Sequence, residues 1–196
     1  IWLNLPRKSK MVPAHFKMFW SEKVPTLKSD RSSARLIAGF VSGVSALTPP
    51  PDSWAAAKEN DVMILEVKLE AGGRFLIPKV GSGANRMLYY FSGKGLQLNG
   101  QRVEPSCAFD LESHVDLELT SESGTQEVLV LQGRPIGEPV VQHGPFVMNS
   151  KQEIYQTIED YQRTEFGGWP WPQPDMVHGP EIRRFAKFPD GRLETP

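Results

Sequence analysis

Apolar and polar residues alternate with a period of two over several short stretches of this chain. Met63, Leu65, Val67 and Leu69 alternate with Ile64, Glu66 and Lys68, and Val115, Leu117 and Leu119 alternate with Asp116, Glu118 and Thr120. Such spacing puts one set of side chains on a single face of an extended backbone and predicts half-buried β-strands. Residues 127–131 supply a further apolar strand, and residues 35–47 supply one or two more, broken at Gly39 and Gly43. Asn99-Gly100 lies between Leu96-Gln97-Leu98 and Gln101-Arg102-Val103. Both residues tolerate positive φ, which predicts a type I′ hairpin. Pro49, Pro50 and Pro51 offer no N–H to a ladder, so residues 48–53 read as an extended loop. Roughly eight or more short strands, with turn signals every 8–12 residues or so, argue for an antiparallel sandwich or barrel.

The pattern changes beyond Gly133. Ser150 and Glu153 have the spacing of a capping box, and Ile154, Ile158 and Tyr161 follow at helical intervals. An amphipathic helix is expected over about residues 151–163, stopped by Gly167-Gly168. The tail holds Trp169, Trp171, Phe185 and Phe188 among several prolines and has no clear period, so it is expected to dock on a surface. Residues 1–30 are similar in kind. Trp2, Leu3, Leu5, Met18, Phe19 and Trp20 are anchors without a period, and Arg7-Lys8-Ser9-Lys10 reads as a solvated basic turn. This opening segment reads as a linker that embraces a neighbouring domain.

Composition narrows the function classes. The 196 residues are 39% hydrophobic and 23% charged, ordinary for a globular protein, with a formal net charge of −1. That balance gives no bulk electrostatic reason to bind nucleic acid or an anionic membrane. The single cysteine, Cys107, rules out an internal disulfide and suits a reducing compartment; it reads as a small buried residue in a strand. No apolar run approaches the roughly eighteen residues of a membrane-spanning helix, and no signal peptide is recognised. The chain starts at Ile1 without a Met and with strand-like residues already under way. An engineered fragment, a processed product or a piece of a longer protein is expected.

Candidate chemistry is sparse. The histidines are His15, His114, His143 and His178, and none forms a His-x-His ligand pair. Glu159-Asp160 reads as a solvated helix face. There is no G-x-S-x-G, no phosphate-binding loop and no G-x-G-x-x-G opening a helix, and Cys107 has no evident base. The stretch from Gly72 to Gly93 is the most informative. It reads as strand, loop, strand and tight turn, and its glycine spacing resembles the first signature of a cupin barrel. Counted from Gly72, the two His positions of that signature fall on Pro78 and Val80. Counted back from Gly93, its Glu position falls on Arg86. Pro78 and Val80 have no donor atoms, and Arg86 repels a divalent cation. His114 lies near where the second signature would put its last His, on a strand expected to face the first motif. One His does not hold a metal.

Five segments extend the likeness: Trp2-Leu3-Asn4-Leu5-Pro6, Lys17-Met18-Phe19-Trp20, residues 47–54, Gly83-Ala84-Asn85-Arg86, and Gln142-His143-Gly144-Pro145-Phe146-Val147-Met148-Asn149. Together they make the chain resemble the C-terminal part of a pirin, a two-cupin protein. The resemblance implies an all-β, cupin-type antiparallel barrel, jelly-roll-like, with one C-terminal amphipathic helix and an extended aromatic tail. It implies three regions: 1–34, the end of a preceding cupin plus linker; 35–135, a C-terminal cupin barrel without metal ligands; and 136–196, a helix and tail packing on the N-terminal domain. It also implies a single non-haem iron in the N-terminal cupin, held by three His and one Glu that precede this chain. No catalytic or metal-binding residue then lies here, the degenerate positions being Pro78, Val80 and Arg86. For the intact protein the implied activity is an iron-dependent quercetin 2,3-dioxygenase acting on a flavonol, with this chain a non-catalytic structural domain. The alternative is an iron-binding transcriptional co-regulator or interaction module that contacts a transcription factor. The implied partners are its own N-terminal cupin and no membrane or direct nucleic-acid contact, in an intracellular setting, nuclear or cytoplasmic. Without the first domain, Trp2, Trp20, Trp169 and Trp171 are expected to be left partly exposed.

Overall fold

A computed structural model describes residues 1–169, 183–188 and 190–196. The chain forms two compact units, the first made of Ile1–Leu5 and Val12–Ile136, the second of Pro6–Met11 and Gly137–Pro196. The first unit holds twelve strands. They are β1 (Thr26–Ser29), β2 (Ser32–Ala38), β3 (Phe40–Val41), β4 (Val44–Ser45), β5 (Met63–Leu69), β6 (Arg74–Ile77), β7 (Asn85–Ser92), β8 (Leu96–Leu98), β9 (Gln101–Arg102), β10 (Cys107–Glu112), β11 (Leu117–Ser121) and β12 (Gln126–Gly133).

Two antiparallel sheets carry the core. One has the order β1-β2-β5-β12-β7-β10 and the other β6-β11-β8-β9. The period-two pattern decides which residues face inward: Leu65 and Val67 of β5, Leu88 and Tyr90 of β7 and Val128 and Val130 of β12 meet Ile77, Leu96, Leu98, Leu117 and Leu119 of the second sheet. A slip of one residue would turn any of these sets to the outside, at a cost of about 1.5–3 kcal/mol for each large side chain exposed. The fold is therefore the expected all-β, cupin-like pair of sheets, with the core between two separate hydrogen-bonded ladders. Asn99 (φ 49°) and Gly100 (φ 78°) both adopt the left-handed conformation that joins β8 to β9, as the hairpin signal predicts.

The first sheet reaches further back than residue 35, since β1 begins at Thr26 and pairs with β2. The segment before it is tied down as well. The Pro25 carbonyl accepts from the Leu36 amide at 2.9 Å, and Ser21 Oγ accepts from Arg35 Nη2 at 3.2 Å. Trp20 is buried, at 6% exposure, which corrects the expectation that it would be left exposed; Trp2 and Trp169 are exposed. Trp171 lies outside the described residues.

The second unit contains the hairpin β13 (Val141–His143) and β14 (Phe146–Met148), the helix α1 (Lys151–Thr164), and the small pair β15 (Ala186–Lys187) and β16 (Leu193–Glu194). The capping box forms as predicted. Ser150 Oγ accepts from the Glu153 amide at 3.2 Å, and Glu153 Oε2 accepts from the Ser150 hydroxyl at 3.0 Å and the Asn149 amide at 3.1 Å. Arg7 Nε lies 2.9 Å from Glu153 Oε1. Partial burial pushes the Glu153 carboxyl up, but the Ser150, Arg7 and Asn149 donors outweigh it and hold the group below its ordinary value. The helix buries Ile154 and Thr157. It ends at Thr164, before the glycine pair expected to stop it: Glu165 and Phe166 take the left-handed conformation themselves. Tyr161 then packs edge-on against Phe146 and Phe166, with centroids 5.7 and 5.3 Å away. Among the described residues, no helix is long and apolar enough to cross a membrane.

Candidate functional site

The site is built where β6 gives way to β7. Ile77 is buried at the end of β6, and Pro78 cannot extend the ladder, so the chain leaves the sheet at Pro78-Lys79-Val80. It returns through Gly81-Ser82-Gly83 into β7, whose inward positions are Arg86, Leu88 and Tyr90. Strand alternation therefore aims the Arg86 side chain at the interior, where only 1% of it is exposed.

Three neutral oxygens receive the Arg86 guanidinium. Nε donates to Gln132 Oε1 at 2.8 Å, Nη1 to the Val115 carbonyl at 3.1 Å and Nη2 to the Pro78 carbonyl at 2.7 Å. Gln132 is the register partner of Arg86 on β12, and its own Nε2 donates to the Asp61 carbonyl at 3.0 Å. The loop after β6 is strapped to the turn before β11 independently of the arginine. The Val80 amide donates to the Ser113 carbonyl at 2.9 Å, the Lys79 amide to Asp116 Oδ1 at 2.7 Å, and the Ser113 hydroxyl to the Ala84 carbonyl at 2.6 Å. Further out, Arg134 pairs with Asp61 at 2.8 Å and donates to the Ser82 carbonyl at 2.9 Å. Burial lowers the pKa of Arg86, and the nearby Asp116 charge draws it back up. A guanidinium so placed stays charged across the usual pH range.

These residues do not fit a metal ion. A divalent cation needs several N, O or S donors converging from side chains, and Pro78 and Val80 offer none. The third position brings a positive charge of its own to the Pro78 carbonyl. Among the described residues, no three His, Cys, Asp or Glu side chains gather into a group that could hold a metal. His114 lies in the turn after β10, 56% exposed and with Nδ1 3.3 Å from Glu112 Oε2, and so does not face the interior as expected from its sequence position. Cys107 is on β10 as expected, but exposed rather than buried. His15 and His143 are exposed, and His178 lies outside the described residues. Asp160 pairs with Arg163 at 2.9 Å on the helix surface. Sequence reasoning found Arg86 through glycine spacing but missed Gln132, Val115 and Ser113. The available signal was a pair of glutamines, Gln126 and Gln132, bracketing the apolar run of β12 at core-facing positions.

The opposite end of β7 has a second buried polar group. Gln126 Oε1 accepts from the Tyr90 hydroxyl in a short hydrogen bond and from the Gly95 amide at 3.0 Å, while its Nε2 donates to the Ser123 carbonyl at 2.6 Å and Ser121 Oγ at 3.2 Å. Gly93 closes the strand at φ 113°, and a Cβ there would stand 2.1 Å from Gln126 Oε1. Burial raises the Tyr90 pKa, keeping its hydroxyl protonated as a donor.

A family model described as the pirin C-terminal cupin domain matches residues 64–167. The chain belongs to the pirin family. It is 33% identical, over 171 residues, to a Pseudomonas aeruginosa protein provisionally named quercetin 2,3-dioxygenase, covering 83% of this chain and 56% of that protein. It is 30% identical to the mouse protein named Pirin, with 85% of this chain and 56% of that protein covered. A crystal structure of a quercetin 2,3-dioxygenase from Acinetobacter baumannii superposes with a TM-score of 0.68 at 30% identity, covering 85% of this chain and 56% of that one. The chain thus spans little more than half the length of these pirin-family relatives, and the family match includes Arg86 and its three acceptors.

Proposed function

We propose that this chain is the C-terminal, non-catalytic cupin part of a longer pirin-family protein that acts as an iron-dependent quercetin 2,3-dioxygenase. The carrying observation is the guanidinium of Arg86, 2.7 Å from the Pro78 carbonyl, where the cupin signature would hold a metal. The names of the bacterial relatives and their greater length support a second part that supplies the chemistry. In this reading, an N-terminal cupin would hold the iron, which would supply the O₂ chemistry on the flavonol, and this chain contributes the packed half against which that cupin is built. A second reading, an interaction module or co-regulator contacting a transcription factor, draws on the Phe146, Tyr161 and Phe166 ring cluster, whose last two members are exposed.

Metal analysis and quercetin turnover, measured on the 196-residue chain and on the longer protein, test the proposal. The chain is expected to hold no stoichiometric iron and to turn over no quercetin, while the longer protein does both. Iron with turnover in the chain alone overturns it. A longer protein that binds iron and a transcription factor but leaves quercetin intact would favour the second reading.

A further inference from the structure

We propose that the Arg86 guanidinium is the resident cation of the degenerate site, joining three segments at the mouth of the two sheets and closing it without a metal. The motif position, the burial and the donor geometry lead to this independently of what the longer protein catalyses. A cupin-type metal would draw ligands from the β6–β7 region and from a facing strand. Arg86 does the same from the opposite direction: it carries the charge inward on β7 and takes oxygens from the β6–β7 loop (Pro78), the β10–β11 turn (Val115) and β12 (Gln132). These partners stand 8, 29 and 46 residues away in sequence, so one side chain adds a common tie to segments that the Val80–Ser113, Lys79–Asp116 and β7–β12 hydrogen bonds hold only pairwise.

The choice of side chain follows from the geometry. A guanidinium presents its donors in one rigid plane and reaches three separated acceptors at once, whereas a lysine ammonium is a compact charge on a flexible stem. All three partners are neutral oxygens, of the kind that would also attract a hard cation, and the arginine occupies them. A divalent ion entering here would have to displace the guanidinium and then find no anionic ligand at Pro78 or Val80. Arginine and metal are therefore mutually exclusive at this mouth.

Nuclear magnetic resonance on the unmutated 196-residue chain tests this. The Arg86 Nε–H, identified by its loss in Arg86→Lys, should exchange with water about 100-fold or more slowly than exposed arginines. It should not move on addition of excess Zn²⁺, Fe²⁺ or EDTA. A rapidly exchanging Nε–H, or a metal-induced shift of the Arg86 and Val80 signals, overturns the proposal. Thermal unfolding gives a second readout. Arg86→Met leaves one buried and two part-buried acceptors without their donors and should lower Tm by about 4–8 °C, with Arg86→Lys recovering only part of the loss. A methionine variant that melts with the wild type also overturns it. If that variant does not fold, the loss is at its extreme and the resonance measurement on the unmutated chain decides.

Discussion

The two ends of β7 solve one problem in different ways. At each, a polar side chain points into the core of the first unit and must be satisfied there. At the Arg86 end the donor is charged, and two of its three acceptors are backbone carbonyls of loop and turn. At the Tyr90 end the donor is neutral, and the hub is Gln126, a side chain of the neighbouring strand β12 that gathers Tyr90, the Gly95 amide, Ser121 and Ser123. The first arrangement fixes loops; the second fixes the closing turn of the sheet. Both hubs reach irregular backbone, but the guanidinium spans a loop and a turn from two different connections, whereas the Gln126 amide serves the Gly95 and Ser123 turns that flank its own strand pair.

Three changes would break or sharpen that contrast beyond the Arg86 variants. The largest effect is expected from Gly93→Ala, because the residue combines positive φ with a Cβ position 2.1 Å from Gln126 Oε1. It should cost about 3 kcal/mol or more in urea unfolding, through strain and overpacking together. Gln132→Leu comes next. It leaves the Arg86 Nε–H and the Asp61 carbonyl unpaired and should cost about 2–3 kcal/mol. A loss as small as that of a surface substitution would show that the mouth tolerates an unpaired donor. Tyr90→Phe is the mildest, at about 1 kcal/mol, since Gln126 keeps its other partners. Its pH dependence is more telling than its size. The folded state holds the Tyr90 proton to higher pH than the unfolded chain does, so this contribution is complete below the ordinary tyrosine value and is lost as pH rises from there through the raised folded value. Unfolding at a series of alkaline pH values should show that decline in the wild type and a smaller one in the phenylalanine variant.

Much of the fold was legible because its strands alternate cleanly. β5 and β11, the Asn99-Gly100 hairpin and the Ser150 capping box follow directly from residue periods and turn chemistry. What escaped were elements whose burial pattern carries little signal. β1 is a mostly exposed edge strand; the strand expected at Cys107 is β10, and only the exposure of that residue departs from expectation. At the site, the glycine frame located Pro78, Val80 and Arg86 because backbone geometry constrains sequence locally. The partners Gln132 and Val115 were not legible, since strand pairing and turn placement bring them in from far along the chain. The same limit explains His114: sequence position put it near a ligand site, but the turn after β10 carries it out to solvent.

The exposed thiol of Cys107 has a practical consequence. It is the only cysteine in the chain, and it sits on the edge strand β10 in register with Tyr90. A fluorophore or spin label attached there would carry no ambiguity of attachment. It would report from the outer edge of the sheet on whether β10 stays zipped to β7, and the protein therefore brings its own handle for single-molecule observation.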